Sequence, residues 1–257
     1  MCETSMKTTG SCVIAGGSIL DMTWAQGFLG MHADAMTIAC DSGIQLFSEG
    51  GKCPDIFVGD FDSADPETVA YYKEKEQTLM HPLPVHKDVT DTEEALHIAL
   101  EAGCDPIYLI GMTGGRIDHT LANVCLLRQA AAAGVRAYLL DPYCKAYAVM
   151  PGDGAGCTGG GTDSTDADGN GGYDSNTAGR CCVQLAADRA YGDYISLIPL
   201  GGPVTGLTIT GAEYPLKDAV LAGKDSLGIS NRLTDDVMTI SFTDGELLII
   251  EARDSVI

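Results

Sequence analysis

The chain has 257 residues, 45% of them hydrophobic, enough for one large globular domain or two modest ones. Its 15 Lys and Arg stand against 36 Asp and Glu, and the net charge of −21 argues against nucleic acid or an anionic membrane as partner. No apolar run approaches the length needed to span a bilayer, and the opening residues MCETSMKTTG carry no secretory pattern. The ten cysteines are scattered without any C-x-x-C, so reduced thiols in a cytoplasm are expected and a zinc site has little support.

Taken in chain order, SCVIAGGSI (11–19) reads as a first strand ending in a glycine turn. A second strand opens AMTIACDSGIQLFSEG (35–50) and leads through Asp41-Ser42-Gly43 into a helix carrying Ile44, Leu46 and Phe47. PDIFVGDFDS is a third strand, and DPETVAYYKEKE (65–76) a helix with acids in its first turn. DVTDTEEALHIALEAG (88–103) is the clearest helix, capped by Thr90 or Asp91 and closed by Gly103. PIYLIGMTGG (106–115) is another strand, HTLANVCLLRQAAAAG (119–134) a helix and VRAYLLD (135–141) a strand. This alternation predicts that residues 1–142 form a parallel sheet covered by helices.

Residues 151–180 change character, being dominated by Gly, Asp, Ser and Thr, and read as a mobile loop. Asp166, Asp168, Asn170 and Gly171 mimic part of a calcium-binding loop, but Thr177 stands where a bidentate Glu is required, so a polar linker is the better reading. Short β-like runs follow at 194–201, 206–212, 237–245 and 246–252, with Asp244-Gly245 predicted as a hairpin turn between the last two. Residues 143–257 are therefore expected to form a small antiparallel domain, a sandwich or open barrel.

The chemistry resides in acids placed where strands end. Asp41 in CDSG, Asp60 and Asp62 in GDFDS, Asp88 and Asp91 in KDVTD, and Asp118 in GGRIDH all fall at a strand's carboxyl end or the following helix start. One such Asp is commonly only a cap or an Asx turn. A set of them on the ligand-binding edge of an α/β sheet, with Arg116, Lys87 and glycine turns among them, suits Mg²⁺ and a transferring phosphoryl group. There is no G-x-x-x-x-G-K-[ST], so the nucleotide reading rests on the whole set.

ACDSG, PDIFVGDFDS, HKDVTDTEEAL and GMTGGRIDHTLAN, followed by YISLIPLGGPVTGLTITGAEYPL and GISNRL, resemble the thiamine pyrophosphokinases in order and spacing. The resemblance implies transfer of a diphosphate group from ATP to thiamine, giving thiamine diphosphate and AMP. It implies a homodimer in which a Rossmann-like parallel α/β domain and a C-terminal β-sandwich from different subunits share the active site. Carried over, Asp60, Asp62 and Asp91 are the Mg²⁺ carboxylates with Asp41 nearby, Arg116 and Asp118 contact ATP, and Ser230 and Asn231 belong to the thiamine side. Lys87 or Arg116 assists charge at the leaving group, and Asp91 or Asp88 accepts the proton, the choice being open. Two departures stand out: Asp41-Ser42-Gly43 where many relatives have Asp-Gly-Gly, and Tyr214 where animal members carry Trp. A haloacid-dehalogenase-type phosphatase shares D-x-D after an apolar strand, but there it follows the first strand, and here the third. A non-enzymatic nucleotide- or thiamine-binding module would require an incomplete acid set.

Overall fold

Four short runs of wholly buried or nearly wholly buried residues lie side by side in the first part of the chain. The structure, a computed structural model, describes residues 10–61, 64–84, 88–152, 157–159 and 180–254. It divides into two compact units, Met1–Leu126 with Leu139–Pro142, and Leu127–Tyr138 with Tyr143–Ile257. It is a mixed α/β fold.

In the first unit, β1 (Cys12–Ala15) is followed by α1 (Met22–Met31), β2 (Met36–Cys40) and α2 (Ile44–Glu49). Then come β3 (Ile56–Gly59), α3 (Pro66–Lys73), β4 (Leu79–Pro82), α4 (Asp91–Glu101), β5 (Ile107–Ile110) and α5 (Ile117–Ala132). The strand order is β4-β3-β2-β1-β5, every pair parallel. Every residue of β1, β3 and β5 is buried, as expected of parallel strands covered on both faces. α2 buries Ile44, Leu46 and Phe47, and α4 buries Ala95, Leu96 and Ala99. Thr90 is the cap of α4, its hydroxyl accepting from the Glu93 N–H at 3.1 Å.

Two elements of the first unit escaped the reading of the sequence. α1 carries its signal openly, since Asp21 caps it through the Trp24 N–H at 2.9 Å and Ala25, Phe28 and Leu29 form its buried face. β4 has no such signal: none of its four residues is buried, because it is the edge of the sheet.

β6 (Ala137–Leu140) is divided between the units. In the second unit come β7 (Cys144–Pro151), β8 (Cys157–Gly159), β9 (Cys181–Ala186) and β10 (Tyr194–Thr210). β11 (Leu216–Leu221), β12 (Val237–Phe242) and β13 (Asp244–Ala252) complete it. The order is β7-β13-β10-β12-β9, all antiparallel, with β11 on β10 and β8 on β7. The runs 194–201 and 206–212 merge into the single strand β10, whose register slips between Leu200 and Thr205.

That slip overturns the expected hairpin at Asp244-Gly245. Among the described residues β12 and β13 do not pair; β13 lies along Tyr194–Leu200 of β10, and β12 along Thr208–Thr210. A bulged long strand can serve two sheets, and the Asp-Gly step then carries the chain between them. In the expected loop at 151–180, β7 runs on to Pro151 and Cys157–Gly159 pairs back on it. Residues 153–156 and 160–179, including the calcium-like pattern, lie outside the described residues. Cys181 is disulfide-bonded, against the expectation of reduced thiols, whereas Cys12, Cys40, Cys53, Cys104, Cys125, Cys144 and Cys182 are not in disulfides. No helix among the described residues is long and apolar enough to cross a membrane.

The second unit buries an ion pair. The β7–β13 register sets Lys145 opposite Glu251, and Lys145 Nζ lies 3.0 Å from Oε1 without hydrogen-bond alignment. The ammonium is also within 6.0 Å of the ring centres of Tyr138, Tyr147 and Tyr191, and Glu251 Oε2 accepts from the Tyr191 N–H at 2.8 Å. Removing one partner strands a buried charge, so Glu251→Leu should cost about 3–5 kcal/mol in urea unfolding. Lys145→Met added to it should recover most of the loss, and a double variant as unstable as the single one would contradict this account.

Candidate functional site

The carboxyl ends of the parallel strands build the site. Asp41 begins the turn after β2, Asp60 follows β3, and Asp91 is the first residue of α4, next to its Thr90 cap. Two non-glycine residues of these motifs hold left-handed backbone, Asp41 at φ 47° and Phe61 at φ 63°. Such conformations persist only where the surroundings enforce them, and they gather at functional sites. Gly59 shows the enforcement: with φ 149°, a Cβ there would collide with Asp41 Oδ1, so only glycine lets the Asp41 carboxylate lie against the end of β3. Cys40 adds a contact from β2 to α4, its thiol donating to the Asp91 carbonyl at 3.7 Å.

Asp41, Asp60, Asp91 and Arg116 line a single cavity of about 680 Å³ in this unit. Gly16 and Gly17 after β1, and Gly111, Gly114 and Gly115 after β5, line it too, so backbone faces much of the space. Asp88 is exposed and does not line it. Asp62 and Lys87 lie outside the described residues. Thr90, Thr92, His119 and Asn123 also line the cavity and were missed, since nothing in their local sequence marks which helix face meets a ligand.

Asp118 is not a lining residue either; it faces Arg116. The guanidinium grips its carboxylate with Nε at 3.2 Å from Oδ1 and Nη2 at 2.5 Å from Oδ2, and Oδ1 also accepts from the His119 N–H at 3.1 Å. The Arg116 hydrogen bonds hold the Asp118 carboxyl down at about 2. Both side chains are largely exposed, so the pair orients Arg116 more than it stabilises the fold.

In the second unit Ser230 also takes a left-handed φ, 57°, with its N–H on Ser196 Oγ at 3.0 Å. Asn231 is buried and its amide is engaged with backbone: Nδ2 donates to the Tyr214 carbonyl at 2.9 Å, and Oδ1 accepts from the N–H of Tyr214 at 3.0 Å and of Arg232 at 2.9 Å. The Tyr214 side chain it tethers is 60% exposed.

Comparison with known proteins decides the family. Residues 31–139 match the family model "Thiamin pyrophosphokinase, catalytic domain", and residues 180–247 match "Thiamin pyrophosphokinase, vitamin B1 binding domain". The chain is 31% identical over 252 residues to "Thiamine pyrophosphokinase" of Bacillus subtilis, covering 97% of this chain and 100% of that protein. The chain belongs to the thiamine pyrophosphokinase family. A crystal structure of the Bacillus subtilis thiamine pyrophosphokinase superposes with TM-score 0.73 at 28% identity, covering 95% of this chain and 99% of that one. That of Geobacillus thermodenitrificans superposes with TM-score 0.72 at 28% identity, covering 95% and 98%. The catalytic-domain match contains the four cavity residues Asp41, Asp60, Asp91 and Arg116, and the vitamin B1 match contains Tyr214, Ser230 and Asn231. Most of the Gly/Asp-rich stretch falls between the two matches.

The Arg116–Asp118 grip has a pH signature. A carboxyl lowered from 3.8 to about 2 stabilises the gripped arrangement above the ordinary carboxylate range, and the contribution disappears as pH falls through about 2. An NMR titration of the Asp118 side-chain carbon should give that low midpoint, and Arg116→Ala should return it toward 3.8. A midpoint unchanged by Arg116→Ala would mean that the grip does not persist in solution.

Proposed function

We propose that Asp41, Asp60, Asp91 and Arg116 form the ATP end of a site that transfers a diphosphate group to the hydroxyethyl oxygen of thiamine, yielding thiamine diphosphate and AMP. The chain is an enzyme of the thiamine pyrophosphokinase type. The observation that carries the site assignment is the convergence of these four residues, from four separate loops, on one glycine-walled cavity. The phosphatase and the non-enzymatic module are not favoured, since the matches to this family span both halves of the chain.

In the reaction the thiamine oxygen bonds to the β-phosphorus, the bond from that phosphorus to the α–β bridging oxygen breaks, and AMP departs with that oxygen. A loose phosphoryl transition state asks mainly for positioning and charge compensation. Arg116, directed by Asp118, supplies positive charge, and backbone of the glycine turns that line the cavity suits close approach by phosphate oxygens. The proton of the attacking hydroxyl needs an acceptor. Asp91 lines the cavity and Asp88 does not, which favours Asp91.

The donor set suits Mg²⁺. Among the described residues no three ligating side chains cluster closely enough to cage an ion. Mg²⁺ seldom uses such a cage, being held by one or two carboxylates together with phosphate oxygens and water. Asp60 and Asp91 would hold it, with Asp62 as the expected third carboxylate, and the ion when bound offsets charge on the transferring group. Lys87 is retained as an expected second cation.

We read the first unit as Rossmann-like and the second as a β-sandwich in which β10 serves both sheets, with the boundary near residue 142. On the thiamine side, Asn231 holds the segment from which Tyr214 offers an aromatic face suited to a cationic ring, with Ser230 beside it in sequence.

AMP release from ATP and Mg²⁺, assayed against a panel of alcohols, should occur with thiamine and not with the others. Asp60→Asn keeps the side-chain shape but removes a charge, and should lower turnover by several kcal/mol of barrier, about a thousandfold, without unfolding. Near-normal turnover in that variant would sink the metal assignment.

The expected assembly is a homodimer whose sites combine the acid set of one subunit with the Asn231 region of the other. Asp60→Asn and Asn231→Ala proteins, each inactive, should then restore activity when mixed under subunit exchange, because one site of each mixed dimer has no defect. A monomer with full turnover would overturn the shared site while leaving the chemistry intact.

A further inference from the structure

The turn from Gly111 to Arg116 is the least constrained part of the cavity wall by its sequence. Gly111, Gly114 and Gly115 hold φ of 66°, 86° and 60°. Glycine reaches that region freely, and for the same reason many other conformations as well. Only Met112 and Thr113 lie between Gly111 and Gly114, and each is anchored by a buried side chain from elsewhere. Asn123 on α5, 7% exposed, donates Nδ2 to the Met112 carbonyl at 3.0 Å. Asp141, which follows β6 and is also 7% exposed, accepts from Thr113 Oγ1 at 2.8 Å.

Asp141 does not line the cavity, so its hydrogen bond to Thr113 acts on a ligand through the turn. A carboxylate close to a polyanion site is electrostatically adverse, and its presence calls for a structural return. Backbone bonds hold the turn at its ends, Ser18 N–H on the Gly111 carbonyl and Thr120 N–H on that of Arg116. Fixing the stretch between them is such a return, because a wall already in its binding conformation loses no conformational freedom when polyphosphate arrives.

We propose that Asn123 and Asp141 are positioning residues that clamp the Gly111–Arg116 turn from two sides. The clamp sets its backbone amides and Arg116 in one arrangement for a nucleoside polyphosphate. The polyphosphate part rests on the assignment of this cavity to ATP; the clamp does not.

Thr113→Val removes one hydroxyl at constant shape and tests the clamp in the intact chain. Hydrogen–deuterium exchange without substrate should quicken roughly fivefold or more at residues 112–116, the scale of one lost hydrogen bond, with exchange elsewhere and Tm unchanged. The KM for ATP should rise while the KM for thiamine stays put. Asp141→Asn keeps an oxygen acceptor for Thr113 and should lie closer to wild type than Asp141→Ala in both measurements. Wild-type exchange across the turn would overturn the clamp. Faster exchange with an unmoved KM for ATP would overturn its role in polyphosphate binding. Faster exchange in a protein whose wild type turns over no ATP would uphold the clamp and refute the function assigned to the cavity.

Discussion

Like charges crowded along one edge of a sheet are the constraint around which the first unit is built. Asp41, Asp60 and Asp91 reach the same cavity because the parallel strands β2 and β3 end beside it and α4 begins there. Carboxylates so placed repel, and a fold free to relax would separate them. The buried strands prevent that, since β2 and β3 are packed on both faces and a shift of either would disrupt the core. In the proposed function, a bound cation and its phosphates would relieve that repulsion.

Backbone strain follows the same geography. Among the described residues four non-glycine residues have left-handed φ: Asp41, Phe61, Asp218 and Ser230. Three of them belong to the motifs CDSG, GDFDS and GISN. Each such conformation costs on the order of 1–3 kcal/mol, so the fold holds this cost where ligands are expected rather than where packing alone is at stake. Asp218 lies in β11 outside any motif, where the β10–β11 register slips between Leu207 and Ile209, and its N–H donates to Thr208 Oγ1 at 3.2 Å, so its left-handed φ belongs to a β-bulge.

In the second unit the organising feature is a single long strand. β10 gives one end to β13 and the other to β11 and β12, with the register slip between. The expected Asp244-Gly245 hairpin failed for this reason: a two-residue turn is a local signal, whereas the pairing partner of each flanking strand is settled by β10. The buried Lys145–Glu251 pair was equally invisible, because two charged residues more than a hundred positions apart read as surface until the β7–β13 register sets them opposite one another.

What the sequence determined by itself was most of the alternation of strands and helices up to residue 142, the start of α4 at Thr90 or Asp91, and the acids at strand ends, since these depend on local periodicity and on residues adjacent in the chain. Tertiary structure decided the rest. It separated Asp91 from Asp88, two acids equivalent on paper, by placing only one at the cavity. It turned Asp118 toward Arg116, and it engaged the Asn231 amide with Tyr214 backbone. It also drew Asn123 and Asp141 to a turn whose glycines leave its shape open. In each case the deciding quantity is a distance between groups far apart in sequence, and such distances exist only once the chain has closed on itself.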